Sequence, residues 1–161
     1  IFIIGLKRSF SVACYLNYAL HHLDCRAFLI NGLGGMFDEQ LSQVKEGDVV
    51  VAISFSPYAA ETVNIMNTSA KKGVKQIAIT DSQISPLLAF SDIAFVIKEA
   101  QVLGFRSQCS TMTLVQTLAI VLGLEKEKEK EDKRSENWNK IFAAIGIALA
   151  VIEIVQGFLI K

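Results

Sequence analysis

The stretch VVVAISFSPYAAETVN, residues 49–64, does most to predict how this chain folds. It opens with a continuously apolar run, which is typical of a strand buried on both faces of a parallel sheet. The hydroxyls of Ser54 and Ser56 follow at once, and then come Pro57 and a segment with helical character. Hydroxyls between a buried strand and a helix either cap the helix or bind a ligand, and both interpretations stay open at this point.

Similar apolar runs occur along the rest of the first 124 residues, and they alternate with segments whose apolar residues have helical spacing. This alternation predicts a three-layer α/β/α fold with a doubly wound, five-stranded parallel sheet of strand order 2-1-3-4-5. The predicted strands are 1–5, 26–31, 49–54, 76–81 and 93–97, and the predicted helices are 9–23, 37–44, 59–72 and 107–124.

Polar loops follow strands 1 and 3, which flank the point where the predicted strand order reverses. Ligands of such sheets bind beside this switch point, at the carboxyl ends of the strands. The first loop carries Lys7, Arg8 and Ser9, and the third carries Ser54 and Ser56. Each loop opens a helix, whose free N–H groups and dipole favour an anion. We therefore predict a phosphate site without a metal, although helix caps and solvated cations would leave the same pattern.

Composition and missing motifs exclude several other classes of function. Sixteen basic and sixteen acidic residues cancel, so nothing in the net charge favours nucleic acid. Cys14, Cys25 and Cys109 lie far apart without CxxC spacing, as reduced thiols of a cytoplasmic protein do, and they predict no metal site. The chain contains neither GxGxxG nor GxxxxGK[ST], so no dinucleotide, nucleoside triphosphate or other cofactor is expected.

Three segments in this order resemble the sugar isomerase (SIS) domain: GLKRSFSVACYLNYAL (5–20), GDVVVAISFSPYAAETV (47–63) and KQIAITDSQISPLLAFSD (75–92). They are most similar to the effector domain of bacterial transcriptional regulators of the RpiR/MurR type. The resemblance covers about residues 1–124. It implies a flavodoxin-like domain that binds a phosphosugar and forms a homodimer or a tetramer.

The resemblance also implies which residues bind the ligand. It assigns the phosphate to the serines of the first and third loops, Ser9, Ser54 and Ser56. It assigns sugar contacts to the pair that opens the last helix, Ser110 and Thr111, or to the nearby Ser107. One feature departs from the pattern S-x-S-G-x-T of the enzyme members, because proline stands at position 57 and alanine at position 59. One hydroxyl contact to the phosphate is therefore uncertain.

The resemblance leaves three functions open. In a sensor of this type, a helix-turn-helix domain upstream binds DNA, and the phosphosugar changes the arrangement of the dimer. A phosphosugar isomerase would need a general base, for which Glu61 and Glu99 are the candidates. His21 and His22 lie near the wrong end of their helix. The third function is a dimerisation module without a ligand. We favour binding without turnover.

The last 37 residues have a different composition. Residues 125–140 are highly charged and predict a linker or a helix extension. Residues 141–160 carry a single charge, Glu153, and are long enough to cross a bilayer as a helix. Such an anchor would leave the SIS domain on the cytoplasmic side. A helix buried in an oligomer is the alternative, because Glu153 and Gln156 are costly in lipid.

Overall fold

A computed structural model describes the backbone of residues 1–159 and the side chains of residues 1–143. Its main sheet has five parallel strands in the order β2-β1-β3-β4-β5, as the sequence predicted. These strands are β1 (Phe2–Gly5), β2 (Phe28–Ile30), β3 (Val49–Ile53), β4 (Lys75–Thr80) and β5 (Ile93–Val96). The α/β class and the doubly wound topology are therefore confirmed.

Helices connect β1 to β2, β2 to β3 and β3 to β4, as parallel pairing requires, and a further helix follows the sheet. They are α1 (Phe10–His22), α2 (Phe37–Ser42), α3 (Ala60–Ala70) and α4 (Cys109–Leu159), with short 3-10 turns at Lys7–Ser9, Leu33–Gly35 and Pro86–Ala89. In the sheet, Gly5 at the end of β1 pairs with Ile53 at the end of β3. The loops that follow these two strands consequently leave the same edge of the sheet, side by side.

Both faces of the sheet are covered at the inner strands β1 and β3, which explains why these strands are continuously apolar. Ile3 and Ile4 are neighbours in β1 and point to opposite faces, yet each is 0% exposed. Ala52 and Ile53 in β3 are likewise fully buried. A strand with water on one face would instead alternate apolar and polar residues.

Gly5 permits a close approach between β1 and the chain that follows it. A Cβ atom at this position would lie 2.7 Å from the backbone oxygen of Ser9 and 3.0 Å from the Cβ of Ala13. The glycine thus lets the start of α1 pack directly on the end of its own strand. This contact fixes where the loop between them lies.

One element was not predicted. Strands β6 (Gln101–Val102) and β7 (Phe105–Arg106) form a small antiparallel hairpin between β5 and α4. Both residues of its turn have positive φ, +49° at Leu103 and +78° at Gly104. Tight hairpin turns need this conformation and usually use Asn-Gly or Asp-Gly. A leucine in the first position and strands of two residues gave no signal in the sequence.

The C-terminal part that the structure describes consists of helix α4. The chain divides into two compact units, Ile1–Ile120 and Val121–Lys161. Helix α4 continues through the charged residues 125–140, for which the sequence predicted a linker or a helix extension. Most of the hydrophobic segment 141–160 has side chains outside the described residues. Among the described residues, no helix is both long and apolar enough to cross a membrane.

Candidate anion-binding site

A small cavity of about 80 Å³ lies where β1 and β3 end, at the predicted switch point. Three segments line it. They are loop 1 (residues 6–9), loop 3 (residues 54–59) and the segment that joins the hairpin to α4 (residues 106–111). Of the predicted binding residues, six line the cavity: Lys7, Arg8, Ser9, Ser54, Ser107 and Thr111. It leaves out Ser56 and Ser110, and also the two candidate bases, Glu61 and Glu99.

Loop 1 presents a strained backbone and a free hydroxyl to the cavity. Lys7 has a φ of +54°, a conformation that residues other than glycine rarely adopt. The Ser9 N–H donates to the Leu6 oxygen at 3.1 Å. Ser9 is only 8% exposed, and among the described residues its hydroxyl has no recorded partner and forms no helix cap. An unoccupied hydroxyl in a cavity wall is available to a ligand.

Loop 3 separates the two serines that the sequence placed side by side. Ser54 is 4% exposed and lines the cavity, and its Oγ accepts the Ala59 N–H at 3.4 Å. This bond is long, so capping uses little of the hydroxyl's capacity. Ser56 is exposed, and its N–H donates to the Asp81 carboxylate at 3.1 Å. The structure therefore places Ser54 at the site and Ser56 beside it.

The start of α4 is held by Glu99. The N–H and the hydroxyl of Thr111 each donate to Glu99 Oε1 at 2.6 Å, and the Ser110 N–H donates to Oε2 at 3.3 Å. Ser107 also caps this helix, because its Oγ accepts the Cys109 N–H at 3.1 Å. The hydroxyl of Thr111, which the resemblance assigned to the sugar, thus already donates within the protein.

These contacts determine how Glu99 ionises. Burial raises the pKa of its carboxyl, but the hydrogen bonds from Thr111 and Ser110 outweigh burial and hold the pKa below its usual value. A general base would instead need a raised pKa and access to the substrate. Glu61 is exposed in the first turn of α3, outside the cavity. Within the described part of the chain, no Asp, Glu or His lines this cavity, and no acidic, His or Cys cluster fits a metal ion.

Sequence reasoning missed Arg106, which β7 places in the cavity wall. Its Nη2 donates to the Ser56 oxygen at 2.9 Å and forms an ion pair with Asp81 at 3.3 Å. Its guanidinium carbon lies 5.2 Å from the centre of the Phe55 ring. The Tyr58 hydroxyl also donates to Asp81, at 2.9 Å. Burial raises the pKa of Tyr58, and so does the bond to Asp81, so this tyrosine stays a donor.

Further hydrogen bonds tie the segment around the hairpin to loop 1. Arg8 Nη1 donates to the Gly104 oxygen at 3.0 Å. The side-chain amide of Gln108 donates to the Arg8 oxygen, and its Oε1 accepts the Ser11 hydroxyl at 2.6 Å. Together with the contacts of Arg106 to loop 3, these bonds connect the hairpin to both loops of the cavity.

Comparisons with known proteins agree with this architecture. The family described as "SIS domain" matches residues 1–124, which confirms the resemblance seen in the three motifs. An uncharacterized protein of Archaeoglobus fulgidus is 30% identical over 98 residues, covering 61% of this chain. The chain spans about half, 50%, of the length of that relative.

Solved structures share the fold at identities too low to show more than the fold. The sugar isomerase domain of an RpiR transcription factor from Sphaerobacter thermophilus has a TM-score of 0.74 at 24% identity, over 79% of this chain and 71% of that one. Vibrio vulnificus NanR, complexed with ManNAc-6P, has a TM-score of 0.67 at 24% identity, over 88% and 54%. A Methanococcus jannaschii protein with an inferred 3-hexulose-6-phosphate isomerase function has a TM-score of 0.61 at 15% identity, over 79% and 70%.

Proposed function

Because this chain belongs to the SIS domain family over residues 1–124, we propose that this part binds a sugar phosphate and acts as the effector-sensing domain of an RpiR/MurR-type transcriptional regulator. The observation that carries the proposal is the cavity between loop 1 and loop 3. It lies at the switch point, cations and hydroxyls are among its lining residues, and no Asp or Glu of the described residues lines it.

The phosphate group is assigned to the loop 1 and loop 3 side of the cavity. Lys7 and Arg8 provide positive charge, and Ser9 and Ser54 provide hydroxyls. The helices that follow, α1 and α3, add the N–H groups and the positive dipole end that favour anions. Thr111 lies at the wall and extends the polar lining toward α4. Ser56 and Ser110 are not included, because both lie outside the cavity.

Two observations support binding without turnover. Glu99 holds the first turn of α4 and has a lowered pKa, which suits a carboxylate that caps a helix. Glu61 is exposed and outside the cavity. An aldose–ketose isomerase must move a proton between neighbouring carbons, and neither carboxylate is placed to do so.

Regulation would follow from linkage. In the proposed regulator, a separate helix-turn-helix domain contacts DNA, and residues 1–124 of this chain form the part that responds to the ligand. A phosphosugar that binds one arrangement of a homodimer more tightly shifts the population toward that arrangement. The affinity of the attached DNA-binding domains then changes by the same coupling free energy. The neighbours that are an RpiR factor and NanR with its ManNAc-6P support this choice of function.

The test is thermal unfolding of the full chain against a panel of sugar phosphates, their unphosphorylated parents and inorganic phosphate. A ligand that binds only the folded state raises the midpoint. Ser54→Ala should weaken phosphosugar binding by about tenfold or more, since a hydrogen bond to a charged group contributes about 1.5–3 kcal/mol. Ser91→Ala is the matched control, because its hydroxyl also makes a 3.4 Å bond but lies outside the cavity.

Each outcome of this test assigns a function. A shift by one phosphosugar that Ser54→Ala removes and Ser91→Ala keeps supports the sensor. Multiple turnover of that phosphosugar would indicate an isomerase instead. No shift by any phosphorylated compound would refute phosphosugar binding and leave a dimerisation module without a ligand.

A further inference from the structure

Arg106 is a mostly buried cation with unused hydrogen-bond donors in the wall of the cavity. Its side chain is 16% exposed. Arginine has five N–H donors, and all the contacts recorded for the Arg106 side-chain nitrogens are made by Nη2. Among the described residues, Nε and Nη1 have no recorded acceptor, yet neither is a fully buried unpaired atom. Both donors therefore keep some contact with solvent, and Arg106 is one of the residues that line the cavity.

The charge of Arg106 is already balanced. Asp81 lies 3.3 Å from its Nη2, and the same carboxylate accepts the Ser56 N–H and the Tyr58 hydroxyl. By contrast, Lys7 and Arg8 have no carboxylate partner among the described residues. The cavity thus has a positive side at loop 1 and an electrically balanced side at the hairpin.

We propose that Arg106 is a specificity-determining residue that donates a hydrogen bond to an uncharged oxygen on the sugar half of the ligand. This inference rests on the proposed function and narrows its ligand class. A phosphate dianion belongs on the positive side of the cavity. A hydroxyl or carbonyl oxygen belongs at the guanidinium whose charge Asp81 cancels. The ligand is then a phosphate monoester of a neutral sugar rather than of a sugar acid.

Asp81 is the positioning residue of this arrangement. Three groups contact the guanidinium: the Ser56 oxygen, the Phe55 ring and the Asp81 carboxylate. Together they fix the direction of its free N–H donors. A sugar carboxylate bound at Arg106 would be attracted by the guanidinium and repelled by the Asp81 carboxylate that pairs with it. Like charges at close range cost binding free energy, so Asp81 selects against sugar acids.

The experiment measures dissociation constants of the full chain for three probes by calorimetry. They are inorganic phosphate, the neutral sugar phosphate that stabilises the chain most, and 6-phosphogluconate. The variants are Arg106→Gln, Arg106→Lys and Asp81→Asn, with Arg26→Gln as an exposed control outside the cavity. Unfolding midpoints without ligand show which variants are folded. The Arg106→Gln/Asp81→Asn double variant removes both charges together. If one of the single variants is unfolded, the double variant is compared with the wild type in its place.

Arg106→Gln should weaken binding of the neutral sugar phosphate by about tenfold, because one charge-assisted hydrogen bond is lost. Its affinity for inorganic phosphate should stay within about twofold of the wild-type value. Asp81→Asn should improve binding of 6-phosphogluconate relative to the neutral sugar phosphate, a change that loss of structure alone would not produce. Arg106→Lys should lose part of the affinity for the neutral sugar phosphate, since lysine lacks the planar fork. Arg26→Gln should behave as the wild type for all three probes.

Three results would overturn the assignment. The first is an equal loss of affinity for inorganic phosphate and for the sugar phosphate in Arg106→Gln, which would show that Arg106 binds the phosphate group. The second is unchanged binding of both probes in that variant. The third is tighter binding of 6-phosphogluconate than of any neutral sugar phosphate by the wild type. If the wild type binds no phosphorylated compound, the proposed function itself fails, which is a different result from these three.

Discussion

Replacing Gly5 by alanine tests whether the close contact between β1 and loop 1 positions the site. The new Cβ would lie 2.7 Å from the Ser9 oxygen, and that oxygen belongs to the backbone, so no side-chain rotation can relieve the clash. The Cβ of Ala13 in α1 would lie 3.0 Å from the new methyl, so the methyl also has no room on that side. The start of α1 must therefore move away from the strand, and Ser9 must move with it.

The expected cost follows from the size of this displacement. Overpacking by one methyl in a closely packed region costs about 1–3 kcal/mol. For a chain of this length, 1 kcal/mol lowers the unfolding midpoint by roughly 2–4 °C. Gly5→Ala should thus lower the midpoint by about 2–12 °C. It should also weaken phosphate binding, because Ser9 lines the cavity and moves with the start of α1.

The assay is thermal unfolding of the full chain with and without inorganic phosphate. Gly73→Ala is the matched control, since Gly73 has a φ of +70° and open space around its Cβ position. That variant should lose about 1 kcal/mol through left-handed strain and keep the stabilisation by phosphate. The reasoning is refuted if Gly5→Ala unfolds at the wild-type midpoint, or if it keeps the full phosphate shift.

Three further predictions concern the polar residues around the cavity. Glu99 has a lowered pKa in the folded state, so its stabilisation is present above about pH 4.3, the usual value, and is lost as the pH falls through the folded pKa. Midpoints measured from pH 7 to pH 3 should show Glu99→Gln less stable by about 1 kcal/mol at pH 7, and this difference should shrink as the pH falls below about 4.3. A difference that stays constant over the whole range would contradict this. Glycine tolerates the φ of +54° at position 7, so Lys7→Gly removes the ammonium group and keeps the backbone conformation. Phosphate affinity, measured by calorimetry, should fall about threefold. A loss of more than tenfold would contradict this small contribution of the Lys7 charge. Ser56→Ala should bind phosphate like the wild type, because Ser56 lies outside the cavity, and a loss equal to that of Ser54→Ala would show that loop 3 is placed differently in solution.

The features predicted well from the sequence are those that depend on short-range patterns. Continuously apolar runs identified the five strands, and their alternation with helices predicted parallel pairing. Once that order is known, the carboxyl ends of β1 and β3 must be neighbours, whatever their side chains. The position of the cavity was therefore predictable, and so were most of its polar residues from loops 1 and 3.

The roles of the two serines in loop 3 were harder to predict. Residues two apart share a face only while the chain continues as a strand. Strand β3 ends at Ile53, before either serine, so the alternation no longer applies. Ser54 turns into the cavity, whereas the chain around Ser56 turns toward Asp81. The spacing of the hydroxyls alone carried no information on this difference.

Arg106 was not predictable for a different reason. Its partners Ser56 and Asp81 lie 50 and 25 positions earlier in the chain, and the hairpin that brings them together has strands of only two residues. No periodic pattern arises from strands so short. A single arginine after an exposed turn therefore looks like an ordinary surface charge.

The structural role of Glu99 bears on the function of the site. From the sequence, Glu99 was a candidate general base of an isomerase. The structure gives it a different role, because three donors of Ser110 and Thr111 fix its carboxylate at the first turn of α4. A carboxylate used in this way must remain ionised to hold the helix, whereas a general base must accept a proton in each catalytic cycle. Protonation during turnover would loosen the same helix start that lines the cavity, so this arrangement is consistent with a site that binds its ligand and releases it unchanged.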